Sequence, residues 1–122
     1  MTRTSLSERR LGARLERLTG EEAACCVPEY RTLAHKILAT GAFPDALRRV
    51  KSLADEQRLL AVALLKRRGE LCACEIQAAT GLSHATVSHH MGILRTAGLV
   101  AARRTGKWTY YRLQRPLGGL IP

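Results

Sequence analysis

The most constraining feature of this 122-residue chain is a pair of helix signals separated by a tight turn. The first signal predicts a short helix over about 73–80, stopped by the stretch TGLS. The second predicts a longer helix over about 84–97, with Ser83 as its N-cap and Gly98 at its end. A helix, a glycine-containing turn and a second helix are typical of the helix-turn-helix motif.

A β-hairpin is predicted directly after this motif. The segment LVAARRTGKWTYYRLQ contains two runs of alternating, β-favouring residues on either side of Thr105 and Gly106. A short glycine-containing turn between two such runs is typical of a hairpin. The chain is therefore predicted to be mainly α with a small β-hairpin, in the arrangement of a winged helix-turn-helix.

Further helices are predicted upstream of the motif. Their approximate spans, from apolar periodicity and capping residues, are 6–19, 29–40, 44–52 and 55–68. Leu33, Ile37 and Leu38 are expected to face inward, and Asp55 is expected to cap the last of these helices. Pro28 biases Val27 away from helical geometry, so about 21–28 is interpreted as a connecting arm.

These elements suggest three parts of the chain. Residues 1–42 form an amino-terminal helical arm carrying the Cys25-Cys26 pair, and residues 43–114 form the winged helix-turn-helix domain. Residues 115–122, RPLGGLIP, form a short tail whose glycines and prolines disfavour a long helix.

The charge balance indicates the class of partner. Lys and Arg number 20 against 10 Asp and Glu, a formal net charge of +10, which is typical of proteins that bind nucleic acid. An anionic membrane surface is the competing partner, but no apolar run approaches the roughly 18–20 residues of a spanning helix. The polar start MTRTSLSERR also lacks the apolar stretch of a signal peptide. We therefore expect a cytoplasmic protein that binds double-stranded DNA and no membrane.

Candidate DNA contacts follow from the motif, because the amino end of its second helix reaches base edges in the major groove. Val87, Met91 and Leu94 share the predicted core face, which leaves polar side chains free to point outward. The candidates on and around this helix are Ser83, His84, Thr86, Ser88 and His89, with Arg95 as support on the phosphate backbone. Arg103, Arg104 and Lys107 on the hairpin are expected to hold phosphate or enter the minor groove.

The chain has four cysteines, Cys25, Cys26, Cys72 and Cys74. Thiols remain reduced in the cytoplasm, so metal, metalloid or redox chemistry is expected rather than disulfides. Helical positions two apart point in roughly opposite directions. Cys72 and Cys74 can therefore share a ligand only if Cys72 lies at the non-helical entry and Cys74 in the first turn. This location is also expected to lower the thiol pKa, because the helix N-terminus favours a thiolate.

Four segments of the chain resemble the ArsR/SmtB family of small dimeric winged-helix repressors, which release DNA on binding metal or metalloid ions. The segments are LADEQRL (53–59), ELCACEI (70–76), GLSHATVSHHMGILRTAGLV (81–100) and RRTGKWTYYRL (103–113). The resemblance implies a homodimer that represses transcription at operator DNA. Some arsenic-sensing members have a third cysteine where this chain has Gln77. The family's usual last helix is replaced by RPLGGLIP, which shifts the expected dimer contacts towards the amino-terminal helices.

The resemblance also implies that cysteines of the arm join the C-x-C pair, giving Cys72, Cys74, Cys25 and Cys26 as candidate ligands. Three sulfurs suit As(III) or Sb(III), and four suit Cd(II), Pb(II) or Zn(II). The vicinal arm pair favours the first group, so an arsenic- or antimony-responsive repressor is the leading hypothesis. A repressor responding to Cd(II), Pb(II) or Zn(II), or to thiol oxidation or persulfide, stays open. An enzyme is not expected, because no glycine-rich phosphate cradle and no recognisable nucleophile-base arrangement are evident.

Overall fold

The computed structural model describes residues 9–11, 13–14, 27–118 and 121–122. The helix predicted over about 6–19 lies mostly outside these residues, although 9–11 and 13–14 are helical. The chain divides into two compact units, residues 1–44 and 45–122. From residue 27 onward the elements are α1 (Val27–Ala39), α2 (Ala42–Leu53), α3 (Glu56–Arg68), β1 (Glu70–Cys72), α4 (Ala73–Thr80), α5 (His84–Thr96), β2 (Val100–Thr105) and β3 (Trp108–Leu113).

Helix α1 begins earlier than the sequence predicted. Val27 is already helical and Pro28 lies in the first turn, so the prediction that Val27 belongs to a non-helical arm was wrong. A proline is tolerated there because first-turn N–H groups have no acceptor within the helix. The rest of the predicted arm, 21–26, lies outside the described residues.

The apolar side chains of α1 are exposed, which also corrects the sequence prediction. Leu33, Ile37 and Leu38 are 55%, 47% and 57% exposed, so they do not face inward. Helical spacing defines an apolar face, but burial also requires a second surface to cover that face.

The local start and stop signals of α3, α4 and α5 are confirmed. The Asp55 carboxylate accepts hydrogen bonds from the Gln57 and Arg58 N–H groups, both at 3.0 Å, and thereby caps α3. Helix α4 ends at Gly81, whose φ of 74° lies in the left-handed region that favours glycine. The Ser83 side chain accepts from the Thr86 N–H at 3.2 Å and caps α5. These signals act within one turn of chain, so the sequence alone is enough to predict them.

The sheet has three antiparallel strands in the order β1-β3-β2. The predicted hairpin is confirmed as β2 and β3, but the third strand, β1, was not predicted. With only three residues, β1 is too short to show an alternating pattern. The result is a mainly helical, winged helix-turn-helix fold with a small sheet, and Cys72 lies at the end of the additional strand.

One apolar core lies within residues 45–122. Its fully buried side chains come from α3, α4, α5, the start of the hairpin and the tail: Leu65, Ile76, Met91, Leu94, Leu99, Ile121, Val62, Val87 and Val100. Ile121 belongs to the predicted tail, and the Lys66 ammonium donates to the carbonyls of Gly118 and Ile121 at 3.0 and 2.7 Å. The tail is therefore fixed to α3 by both apolar contact and hydrogen bonds.

Candidate thiol site and nucleic-acid interface

The C-x-C pair lies where β1 passes into α4. Cys72 is the last residue of β1 and the N-cap of α4, with extended backbone (φ −79°, ψ 160°), and Cys74 is the second residue of the helix. The arrangement that would allow one ion to reach both sulfurs, with Cys72 at the non-helical entry and Cys74 in the first turn, is therefore present.

Glu75 fixes the Cys72 end of this pair. Its carboxylate accepts from the Cys72 N–H at 3.0 Å, and the Glu75 N–H donates to the Cys72 sulfur. This is the reciprocal geometry of a capping box with sulfur in place of a hydroxyl oxygen. The hydrogen bonds hold the backbone of Cys72 and orient its sulfur relative to the first turn of α4.

The two thiols differ in exposure, because Cys72 is buried and Cys74 is exposed. Burial raises the pKa of the Cys72 thiol, the neighbouring Cys74 thiol raises it further, and the Glu75 N–H acts in the opposite direction. The prediction that the helix N-terminus lowers the thiol pKa was therefore wrong for Cys72. Desolvation disfavours the thiolate at this sulfur more than the N–H group stabilises it. Binding of a thiophilic ion would have to displace a proton from Cys72.

Cys72 and Cys74 are the only two of the four candidate ligands that lie among the described residues. Cys25 and Cys26 lie outside the described residues, and Gln77 occupies the position of the third cysteine. Across the part of the chain that the structure describes, no three His, Cys, Asp or Glu side chains converge as a metal site. Cys72 and Cys74 therefore offer two sulfurs, and a complete site requires at least one donor from elsewhere.

Helix α5 separates an apolar face from a polar one. Val87, Met91 and Leu94 are buried, as their spacing predicts. The polar candidates that are exposed are Ser83, His84, Ser88, His89 and Arg95. Thr86 is half-buried, and its hydroxyl lies 2.9 Å from that of Ser83, so the capping interaction occupies it. The amino-terminal half of α5 thus presents hydroxyl and imidazole groups on its outer face.

The hairpin carries the other basic candidates. Arg103, Arg104 and Lys107 are all exposed. Arg103 forms a salt bridge with Glu70, with Nη2 2.7 Å from the carboxylate, and its guanidinium lies over the Tyr110 ring at 4.6 Å. This pairing was not predicted, because β1, which carries Glu70, was itself not predicted.

Two further basic residues share a groove with the polar face of α5. Arg48 and Lys51 of α2 line a groove of about 550 Å³ together with Ser88 and His89. Sequence reasoning did not select them, although they lie three residues apart on a strongly amphipathic helix. They add positive charge beside the residues expected to read DNA.

Arg58 connects three helices close to this groove. Its Nε donates to the Ser52 carbonyl at 2.6 Å, and Nη1 lies 3.1 Å from the Nδ1 atom of His90. The contact joins the end of α2, the first turn of α3 and the middle of α5. His90 therefore serves to hold α5 in place, and this contact gives it a structural role.

A family model described as the arsR family of bacterial regulatory proteins matches residues 55–102. The homodimeric winged helix-turn-helix DNA-binding domain of a Mycobacterium bovis protein has a similar fold. It is 36% identical, with a TM-score of 0.56, and the match covers 61% of this chain and 68% of that one. A cadmium resistance regulator of Listeria innocua, CadC, is 36% identical over 90 residues, which is 74% of this chain and 76% of the relative. This chain belongs to the ArsR family.

Arsenic-resistance regulators match a shorter segment of this ArsR-family chain at higher identity. The arsenic resistance transcriptional regulator ArsR1 of Pseudomonas putida is 48% identical over 63 residues, 52% of this chain and 49% of the relative. The chain thus spans about half the length of this curated relative. These relatives are named as transcriptional regulators. Among the residues described, no helix is long and apolar enough to cross a membrane.

Proposed function

We propose that this chain is a transcriptional repressor that binds operator DNA as a homodimer in the cytoplasm and releases it when thiolates bind As(III) or Sb(III). The observation that carries the proposal is the position of two free thiols at the entry to α4, with Cys72 as its N-cap and Cys74 in its first turn. Helix α4 is the first helix of the helix-turn-helix, so the proposed sensor and the DNA-reading element share one structural unit.

The chemistry of the donors supports a soft, thiophilic ion. Cys72 and Cys74 supply two sulfurs, and either Cys25 or Cys26 would complete the three that suit trigonal As(III) or Sb(III). The arsenic resistance regulators that match at 48% identity favour the same ions.

A route from the ion to DNA follows from the chain order. Helices α4 and α5 are separated by residues 81–83 alone, and they contact each other through the core that contains Ile76 and Val87. Ligation that draws the arm onto α4 would therefore favour one arrangement of α5 over another. An ion changes operator affinity only by its differential affinity for the two arrangements, typically about 1–3 kcal/mol in allosteric proteins.

The DNA contacts that we propose are those at the exposed edge of the helix-turn-helix and its wing. They are Ser83, His84, Thr86, Ser88, His89, Arg95, Arg103, Arg104 and Lys107. A second copy of the chain would place the same elements at a second half-site, as in dimeric helix-turn-helix proteins. The homodimeric M. bovis domain of similar fold supports this assembly.

Repression controlled by Cd(II), Pb(II) or Zn(II) is the second candidate. The cadmium resistance relative matches 90 residues of the chain, whereas the arsenic resistance relative matches 63. Using Cys25 and Cys26 together would give four sulfurs, which suit a tetrahedral divalent ion.

A titration separates these candidates. Reduced protein on a labelled duplex from its own promoter is titrated with As(III), Sb(III), Cd(II), Pb(II) and Zn(II), while DNA release and thiolate absorption are recorded. We expect release at stoichiometric As(III) or Sb(III). Release only by the divalent ions selects the second candidate. Release only by peroxide or polysulfide in ion-free buffer would replace both with a thiol redox switch.

A further inference from the structure

Arg103 on the wing is held by side chains from both of the other strands. Its Nη2 and Nε atoms lie 2.7 and 3.5 Å from the two carboxylate oxygens of Glu70 in β1. Its Nη1 atom donates to the Thr105 hydroxyl at 2.9 Å, and its plane lies over Tyr110 of β3. All three guanidinium nitrogens and one face are therefore in contact with protein groups before DNA arrives.

The two other candidate DNA contacts on the hairpin, Arg104 and Lys107, differ in this respect. Within the described part of the chain, neither Arg104 nor Lys107 forms a salt bridge. Arg103 alone among the three must give up a carboxylate to take a DNA phosphate through the same donors. A carboxylate and a phosphate oxygen present similar acceptor geometry to a guanidinium.

Glu70 is also close in the chain to the thiol pair. It lies two residues before Cys72 in a strand of only three residues, and strand alternation places both side chains on one face. The register aligns Cys72, Tyr110 and Arg103 in one row across the three strands. Movement of Cys72 on ligation would therefore move the carboxylate that holds Arg103.

We propose that Glu70 is a built-in competitor of DNA phosphate for Arg103, and that ligation at Cys72 strengthens this competitor by fixing β1 against β3. In the ion-free protein the guanidinium exchanges between the carboxylate and the DNA backbone. In the ligated protein Glu70 retains Arg103 and the wing loses one phosphate contact. The second step rests on the proposed function, whereas the competition itself can be measured without any inducer.

The substitution Glu70→Gln tests the competition, because it keeps the shape of the side chain and removes its charge. In ion-free buffer it should tighten binding to the promoter duplex by roughly two- to fivefold, the range expected for an exposed ion pair. The dependence of log K on log salt should become steeper by up to about 0.9, the value for one phosphate contact. Glu56→Gln removes the same charge from the exposed start of α3 and is the matched control.

The same substitution in an Arg103→Ala background isolates the pair. If Glu70 acts through Arg103, then Glu70→Gln should have no more effect there than Glu56→Gln. The proposal is overturned if Glu70→Gln still tightens DNA binding in the Arg103→Ala background. It is also overturned if, with Arg103 present, Glu70→Gln tightens binding no more than Glu56→Gln does. Arg103→Lys, which keeps the charge but cannot bind a carboxylate through a planar fork, should reproduce most of the Glu70→Gln effect.

Arsenite added to the wild-type protein and to Glu70→Gln tests whether ligation at Cys72 strengthens the competition. Glu70→Gln should reduce the ratio of operator affinities measured without and with arsenite, while the thiolate absorption at saturation stays unchanged. An unchanged ratio would overturn the coupling step. If wild-type protein ignores every ion while Glu70→Gln still tightens binding, the proposed function fails and the competition stands.

Discussion

Helices α5 and α1 carry apolar residues at the same helical spacing, yet the two faces have opposite surroundings. On α5, Val87, Met91 and Leu94 are at most 1% exposed. On α1, Leu33 and Ile37 are about half exposed. The face of α5 is covered by the core of residues 45–122, whereas the described residues leave the face of α1 about half exposed.

The difference shows what an apolar stripe predicts and what it does not. Periodicity identifies which side of a helix seeks burial, but the covering surface belongs to the tertiary or quaternary structure. In a protein proposed to act as a homodimer, the exposed stripe of α1 is a candidate for contact with a second copy. The two faces should therefore be separable by experiment, since changes on α5 should affect stability and changes on α1 should affect association.

The largest effect is expected from Leu94→Ala, which empties a fully buried position in the core. Such truncations lower the free energy of unfolding by about 2–5 kcal/mol, because both transfer free energy and cavity terms are lost. Chemical denaturation measures the change. Leu33→Ala, at a concentration low enough to separate copies, should change the same quantity by less than about 0.5 kcal/mol. Equal losses in the two variants would refute the distinction between the faces.

A smaller effect on stability, but a large one on association, is expected from the double variant Leu33→Glu with Ile37→Glu. Each substitution places a charge on the face that is a candidate for contact with the second copy. Burial of a Leu or Ile side chain in such a contact contributes about 1.5–3 kcal/mol, so the dimer dissociation constant should rise by at least about tenfold. Sedimentation equilibrium gives this constant. Ala78→Glu with Ala79→Glu adds the same charges to an exposed part of α4 and should leave it unchanged. An unaltered constant in the α1 variant would place the dimer contacts elsewhere.

The smallest effect is expected at Asp55, which caps α3 through hydrogen bonds within its own helix and needs no second surface. Hydrogen bonds from the Arg58 and Gln57 N–H groups lower the pKa of Asp55 below its ordinary value of 3.8, although partial desolvation opposes them. A lowered carboxyl pKa stabilises the fold above the ordinary value, and this contribution is lost as the pH falls below it.

Asp55→Asn keeps an N-cap acceptor but cannot titrate. The Tm of the wild-type protein should therefore exceed that of Asp55→Asn near about pH 6, and this difference should disappear by about pH 2. Thermal denaturation across this range measures it. A difference in Tm that does not change with pH would show that the charge of Asp55 has no role.

The sequence predicted features that depend on a few neighbouring residues. The Asp55 and Ser83 caps, the bounds of α4 and the hairpin around Thr105 and Gly106 agree with the structure. All depend on one turn of chain or on one pair of adjacent strands. The joint position of Cys72 and Cys74 was predictable for the same reason, since it follows from where a helix begins.

Features that depend on distant residues were not predictable. The strand β1 exists because β3 pairs with it, and the Glu70–Arg103 salt bridge joins residues 33 positions apart. The raised pKa of Cys72 results mainly from its burial, which no local pattern reports. The exposed face of α1 was wrongly assigned to the interior because spacing alone carries no information about what covers it.

The central claim is that the Cys72–Cys74 pair senses a thiophilic ion and controls DNA release. The most direct test compares arsenite-induced release of the promoter duplex by wild-type protein and by Cys74→Ser, an exposed position where a hydroxyl is tolerated. We predict equal operator affinity without arsenite, and loss of release together with reduced thiolate absorption in the variant. Normal release by Cys74→Ser at the same arsenite concentration would contradict the claim.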